Sequence, residues 1–191
     1  MVISSSARQN AILRARQALL ARPVYLDTET TGLDPKDEIV EISIVDEDGS
    51  ILLDNFVRPS QPIPSEATRI HGITNEDVKT ALRWPFLWRE VRPLLAGRLI
   101  VMYNADFDVR MMRQSMITYR QPWTEKFDTF DLLKVYAEFR SEWDMKRQSY
   151  RYFSLDAAGK HARIALPNAH RAAADSLLTR ALLHHIAEAQ V

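Results

Sequence analysis

Val24-Tyr25-Leu26 is a short apolar, strand-favouring run behind Pro23 that gives way at once to Asp27-Thr28-Glu29 and stops at Gly32. This is the pattern of a strand that leaves a core and ends in two acids. Apolar and polar positions alternate from Val40 to Ile44, Asp46-Glu47-Asp48-Gly49 makes a turn, and Ile51 to Val57 is strand-like again. Two further strands in a hairpin follow from that spacing. Leu99-Ile100-Val101-Met102 is a continuous apolar run of the kind a strand covered on both faces shows. Phe127-Asp128-Thr129 reads as a short strand end or a cap.

Helical periods fill most of the remainder. The first spans residues 7–21, with Ser4, Ser5 and Ser6 as caps, and another runs from Trp84 to Ala96 with a stop at Gly97. A strand-to-helix junction lies at Tyr103–Met112, and helices follow at Leu132–Phe139, at Ser154–Ala162 and from about His170 to Ala189. Pro59, Pro62 and Pro64 mark a loop, after which Thr74 or Asn75 is placed to cap a short helix. Three hairpin strands followed by alternating helices and strands predict an α/β domain, with residues 1–22 as an amphipathic helical extension and 23–191 as the domain itself.

The acids acquire meaning from these periods. Successive strand side chains alternate between faces, so Asp27 and Glu29 project to the same side, about 6 to 7 Å apart. Such a pair repels itself unless a positive group intervenes, and oxygen-seeking divalent cations are the natural candidates. The spacing alone is weak evidence, since Asp46/Asp48 and Asp106/Asp108 share it. On its helix, however, Asp108 falls on the same stripe as Met111 and Met112, and Asp175 shares one with Leu178 and Leu182. An inward carboxylate needs a partner.

Four inward acids carry a charge near minus four, which two divalent ions would neutralise. A pair of such ions about 3.5 to 4 Å apart serves phosphoryl transfer by stabilising the attacking and leaving oxygens. A base is also needed, and His170 stands five residues before Asp175. On one continuous helix that offset turns the two side chains about 140° apart. His170 is therefore expected at or before the helix start, on more mobile backbone, able to swing toward the attacking water. A capping or surface histidine is the alternative.

Composition narrows the field. The chain has 191 residues, 46% of them hydrophobic, which suits one domain with a sizeable core. Lys+Arg and Asp+Glu are both 25, so no global basic field exists and a polyanionic ligand would need local basic groups or bound metal. Without cysteine there are no disulfides, thiolate metal sites or Cys nucleophiles. No apolar run approaches 18 residues, so no membrane helix is expected and a cytoplasmic location fits. The acid-free, Arg- and Ser-rich start also has the look of a transit peptide, but the first strand follows too closely. The segment from Arg140 to Tyr152 mixes cations with Trp143, Tyr150 and Tyr152; it reads as an exposed connection with its aromatics tucked inward, with nucleic-acid contact as the second reading.

Asp27-Thr28-Glu29-Thr30-Thr31-Gly32-Leu33, Tyr103-Asn104-Ala105-Asp106-Phe107-Asp108 and His170-Arg171-Ala172-Ala173-Ala174-Asp175 together resemble, in order and spacing, the three motifs of the DEDDh 3'-5' exonucleases. The resemblance implies an RNase H-like fold, a mixed five-stranded central sheet flanked by helices, to which the N-terminal helix is an addition that would serve a homodimer. It implies two magnesium or manganese ions on Asp27, Glu29, Asp108 and Asp175, with His170 activating the water. It also implies that Thr28, Thr30, Leu33, Asn104 and Phe107 meet the terminal nucleotide of single-stranded DNA or RNA. His71-Gly72-Ile73 matches a loop that approaches that nucleotide, so Ile73 would wedge against a base beside His71; a turn with a buried isoleucine is equally open. Repair, proofreading and RNA trimming all fit such an enzyme, and a silent nucleic-acid binding module is the non-enzymatic alternative.

Overall fold

The computed structural model describes residues 2–164 and 170–190, with side chains from residue 6 onward. Strands β1 (Val24–Thr30), β2 (Ile39–Val45), β3 (Ile51–Phe56), β4 (Leu99–Met102) and β5 (Asp128–Asp131) form one sheet in the order β3-β2-β1-β4-β5. β1, β2 and β3 are antiparallel neighbours, whereas β4 and β5 run parallel to β1, so the sheet is mixed as expected. Phe127-Asp128-Thr129 leads into the edge strand β5. The helices are α1 (Val2–Leu20), α2 (Ser65–His71), α3 (Trp84–Leu95), α4 (Ala105–Thr118), α5 (Leu132–Arg140), α6 (Leu155–Ala162) and α7 (Ala172–Glu188).

Side-chain parity divides the core in two. Val24 and Leu26 of β1, with Ile42, Ile44, Ile100 and Met102, face α3 and α4 and pack on Trp84, Leu87, Val91, Met111 and Met112. Tyr25, Val45 and Val101 face the other way and pack against α1, α5 and α7 through Ile12, Tyr136, Leu182 and Ile186. β1 is thereby the middle strand of a three-layer sandwich. Whatever follows Leu26 along its two faces emerges at one end of the sheet.

The N-terminal helix is fastened to its own chain. Ala11, Ile12, Ala15 and Ala18 are buried. The Arg16 guanidinium donates to the carbonyls of Ala187 and Ala189 at 2.8 and 2.9 Å, where α7 runs out of internal partners. Arg8 donates to the Phe139 carbonyl at 3.0 Å and lies over its ring.

Several local expectations are corrected. α1 starts at Val2, so Ser4, Ser5 and Ser6 lie inside it and not ahead of it. Residues 75–80 form turns and not a short helix, although Thr74 and Asp77 make the reciprocal contacts of a helix cap: the Asp77 carboxylate accepts from the Thr74 amide and hydroxyl at 2.7 Å, and the Thr74 hydroxyl accepts from the Asp77 amide at 3.4 Å. Residues 143–150 form a hairpin of β6 (Trp143–Asp144) and β7 (Ser149–Tyr150). Its aromatics are not tucked inward: Trp143 stacks edge-on against Tyr150 at 5.3 Å, and both Trp143 and Tyr152 are half exposed.

Truncating Ile12, fully buried between α1 and its neighbours, should cost about 2 to 4 kcal/mol by opening a cavity. Chemical denaturation of Ile12→Ala measures this, and an unchanged midpoint would show that α1 adds nothing to the fold.

Candidate active site

Asp27 and Glu29 are the odd-numbered residues at the end of β1, on the face that α7 covers. Asp175 enters from the first turn of α7. Carboxylate oxygens of the three lie within 4.8 Å of one another, the kind of group that holds a metal ion. Asp108 approaches from the other layer. Buried at the start of α4, it accepts a 2.7 Å hydrogen bond from the Thr28 hydroxyl, which points to that opposite face of β1. The partner that burial demanded is therefore a threonine between the two strand acids.

The other acid pairs of the same spacing are used locally. Asp46 takes the Arg98 guanidinium at 2.6 Å, Asp48 accepts from the Ser50 amide at 2.8 Å, and Asp106 meets Lys134 at 2.8 Å. Each has a partner of its own, whereas Asp27 is surrounded by other acids.

Electrostatics follow from that arrangement. Burial, and then the charges of Asp108, Glu29, Asp175 and Glu41, hold the Asp27 carboxyl well above its ordinary range. Burial and then the neighbouring acids Asp175, Glu41 and Asp108 push Glu29 up to about 8, although Arg171 opposes them. Asp108 rises to about 7 through desolvation, against the pull of its Thr28 hydrogen bond. Asp175 is raised by burial, while the charge and backbone hydrogen bond of His170 act in the opposite direction. His170 precedes α7 by two residues, is exposed, and has a φ of 64°.

A fifth acid, missed in the sequence, sets this geometry. Glu41 of β2 stands directly across from Glu29 and is buried. It binds Arg171 through both carboxylate oxygens, at 2.5 to 3.1 Å, and accepts the amide of Ala172 at 3.0 Å. Ala172 opens α7, so Glu41 satisfies one of that helix's unpaired amides and anchors the segment carrying His170 and Asp175 to the sheet. The signal was a lone acid within an apolar strand, matched to an arginine beside the histidine motif.

The residues expected to meet substrate divide. Leu33 is 72% exposed, and Arg110 links it to Phe107 by donating to the Leu33 carbonyl at 3.2 Å while lying 5.2 Å over the Phe107 ring. Asn104 is exposed, in the left-handed region at the head of α4. Thr30 is buried, and its hydroxyl donates to the Gly32 carbonyl at 2.8 Å. Ile73 and His71 require correction. Ile73 is buried with Val40, Ile63, Ala67 and Val78, and His71 is buried with its Nδ1 accepting the Ile73 amide at 3.0 Å. The pair closes a turn over a small apolar core, and neither side chain faces outward to wedge a base.

A family model described as Exonuclease, of the RNase T type, matches residues 24–183. The chain belongs to the DnaQ-like 3'-5' exonuclease family. It is 36% identical over 182 residues to the uncharacterized exonuclease CP81 of Escherichia phage 186, covering 92% of this chain and 93% of that one. It is also 26% identical to the DNA polymerase III epsilon subunit of Rickettsia typhi, over 78% of this chain and 69% of the relative. Among solved structures, exonuclease X in complex with 5' overhanging duplex DNA superposes with a TM-score of 0.65 at 27% identity, over 85% of this chain and 89% of that one. An exonuclease I from Methylocaldum szegediense reaches a TM-score of 0.70 at 22% identity, over 87% of this chain and 40% of its own, and shows the shared fold.

As a member of that family the chain is a nuclease, and its acid cluster fits a divalent cation. Acids that burial and mutual repulsion keep protonated are a poor structural choice unless a cation replaces the protons. In metal-free exonuclease, Glu29 and Asp108 have folded-state pKa values above their unfolded ones, so the native state binds more protons than the unfolded state. Stability should fall as pH rises from about 5 through about 8. Magnesium should restore it, most at the alkaline end; melting curves that ignore both pH and magnesium would contradict this. Glu41→Ala, which strips Arg171 and the α7 amide of their acceptor, should cost about 1.5 to 3 kcal/mol in denaturant unfolding.

Proposed function

We propose that the chain is a metal-dependent 3'-5' exonuclease that releases nucleoside 5'-monophosphates from the 3' ends of single-stranded DNA or RNA. The observation that carries this is the convergence of Asp27, Glu29 and Asp175 within 4.8 Å, beside the segment that presents an exposed His170. Held by these three and Asp108, a pair of magnesium or manganese ions would supply Lewis-acid stabilisation of the attacking and leaving oxygens.

The chain's own side chains do the rest. His170 takes the proton of the attacking water as general base, and its place ahead of α7 leaves the ring free of the helix's fixed rotamers. Thr28 fixes the Asp108 carboxylate through its 2.7 Å hydrogen bond. Leu33 and Phe107 offer apolar surface to the terminal nucleoside, and Asn104 a polar edge. Attack at phosphorus breaks the P–O3' bond, so the shortened strand keeps a 3' hydroxyl and the nucleotide leaves with a 5' phosphate. Exonuclease X was solved in complex with 5' overhanging duplex DNA, and this supports a DNA end as one class of substrate. A module that only bound nucleic acid would gain nothing from a cluster that repels phosphates.

Nucleotide release from a labelled oligonucleotide in magnesium should be abolished in Asp27→Ala and fall about 10²- to 10⁴-fold in His170→Ala. Full activity in Asp27→Ala would overturn the assignment. Parallel assays on short RNA and on single-stranded and duplex DNA set the sugar and strand preference.

A further inference from the structure

Beyond the acid cluster, the outer side of α4 forms one wall of an open cleft of about 490 Å³. Asp108, Met111 and Met112 occupy the buried side of this helix. Arg110, Arg113, Gln114 and Ile117, at i, i+3, i+4 and i+7, share the outward stripe. The facing wall is the loop after β1, carrying Lys36. Gln114 donates to the Asp34 carbonyl at 3.0 Å and also to that of Asp37, and Arg110 to the Leu33 carbonyl at 3.2 Å, so the loop is stapled to the helix. Ser60 contributes to the rim.

Lys36, Arg110 and Arg113 line this cleft and no carboxylate does. The nearby Asp37 carboxylate is turned away, accepting the Thr31 hydroxyl and the Asp34 amide, each at 2.7 Å. Several cations elsewhere are neutralised by acids, Arg14 by Glu138, Arg92 by Glu125, Arg98 by Asp46 and Lys134 by Asp106. Among the described residues Lys36 and Arg113 have no ion-pair partner. In a chain of zero net charge, an uncompensated triad of cations along one cleft is a local phosphate field.

The cleft's position gives it a direction. Arg110 touches both Leu33 and Phe107, which flank the acid end of β1, and Arg113 lies about 4.5 Å farther along the α4 axis. A strand whose 3' end enters the acid cluster would pass Arg110 first and then run between Arg113 and Lys36, with half-exposed Ile117 offering apolar surface to a sugar or base.

We propose that this cleft binds backbone phosphates of the substrate strand on the 5' side of its terminal nucleotide. The inference rests on the exonuclease reading for the location of the 3' end. It makes the enzyme's affinity depend on strand length.

The test is fluorescence anisotropy of a labelled single-stranded oligonucleotide of about 15 nucleotides, with phosphorothioate linkages at its 3' end, on wild type and Lys36→Ala/Arg113→Ala. Melting curves confirm that both are folded. The double variant should bind about tenfold more weakly, with the salt dependence of log affinity shallower by about 0.7 for each phosphate that is no longer neutralised. A dinucleotide should bind both proteins equally, and Arg113→Lys should retain most of the affinity. On cleavable strands the loss should appear in KM and not in kcat. Equal affinity and salt slope in the two proteins would overturn the proposal. So would a loss seen only with duplex DNA, since that would place the complementary strand in the cleft. Binding that behaves as expected in a protein that cuts no substrate would leave the cleft standing and contradict the exonuclease reading.

Discussion

Carboxylates forced together at the end of a buried strand repel one another, and much of the architecture exists to hold them there. β1 is the central strand, packed on both faces, so its alternation fixes Asp27 and Glu29 toward α7 and Thr28 toward α4 without any choice left to local propensity. Each neighbouring layer then delivers one more acid to the same end. The cost of that concentration shows as carboxyls held protonated above their ordinary range. A divalent cation would remove that cost.

The arrangement has an internal anchor of the opposite sign. Glu41 also lies in the cluster's field, yet it is compensated, by the Arg171 guanidinium and by the amide that opens α7. One acid is thereby committed to structure so that another, Asp175, and the exposed His170 arrive at a fixed place relative to β1. The same pattern recurs at Thr28, whose hydroxyl serves Asp108 while its backbone belongs to the strand. In both cases a neighbour of one acid, Thr28 beside Asp27 and Glu29 or Glu41 across the sheet from Glu29, holds a different acid of the cluster in place.

The site was legible where it depended on local periodicity. Strand parity placed Asp27 and Glu29 on one face, and helical spacing placed Asp108 with Met111 and Met112 and Asp175 with Leu178 and Leu182. What depended on register or tertiary packing was not. Glu41 reads along the chain as an ordinary polar tooth of an alternating strand, and only the β1–β2 pairing sets it opposite Glu29. Ile73 reads equally well as a wedge or a core residue, and packing against Val40 and Ile63 decides for the core. Thr74 and Asp77 do make the reciprocal capping contacts that the sequence allowed, but turns and not a helix follow at 75–80. The cationic cleft was invisible because its walls, Lys36 and Arg113, come from segments far apart in the chain.

If cations stabilise this cluster, they must displace protons from it. Calorimetric titration of magnesium or manganese into the protein near pH 7, repeated in buffers of different ionisation enthalpy, counts the protons released on binding. Saturable binding with net proton release that shrinks toward pH 9 is the predicted result, as Glu29 and Asp108 give up protons that their surroundings had kept on them. Binding without proton release at pH 7, or no binding at all, would contradict it.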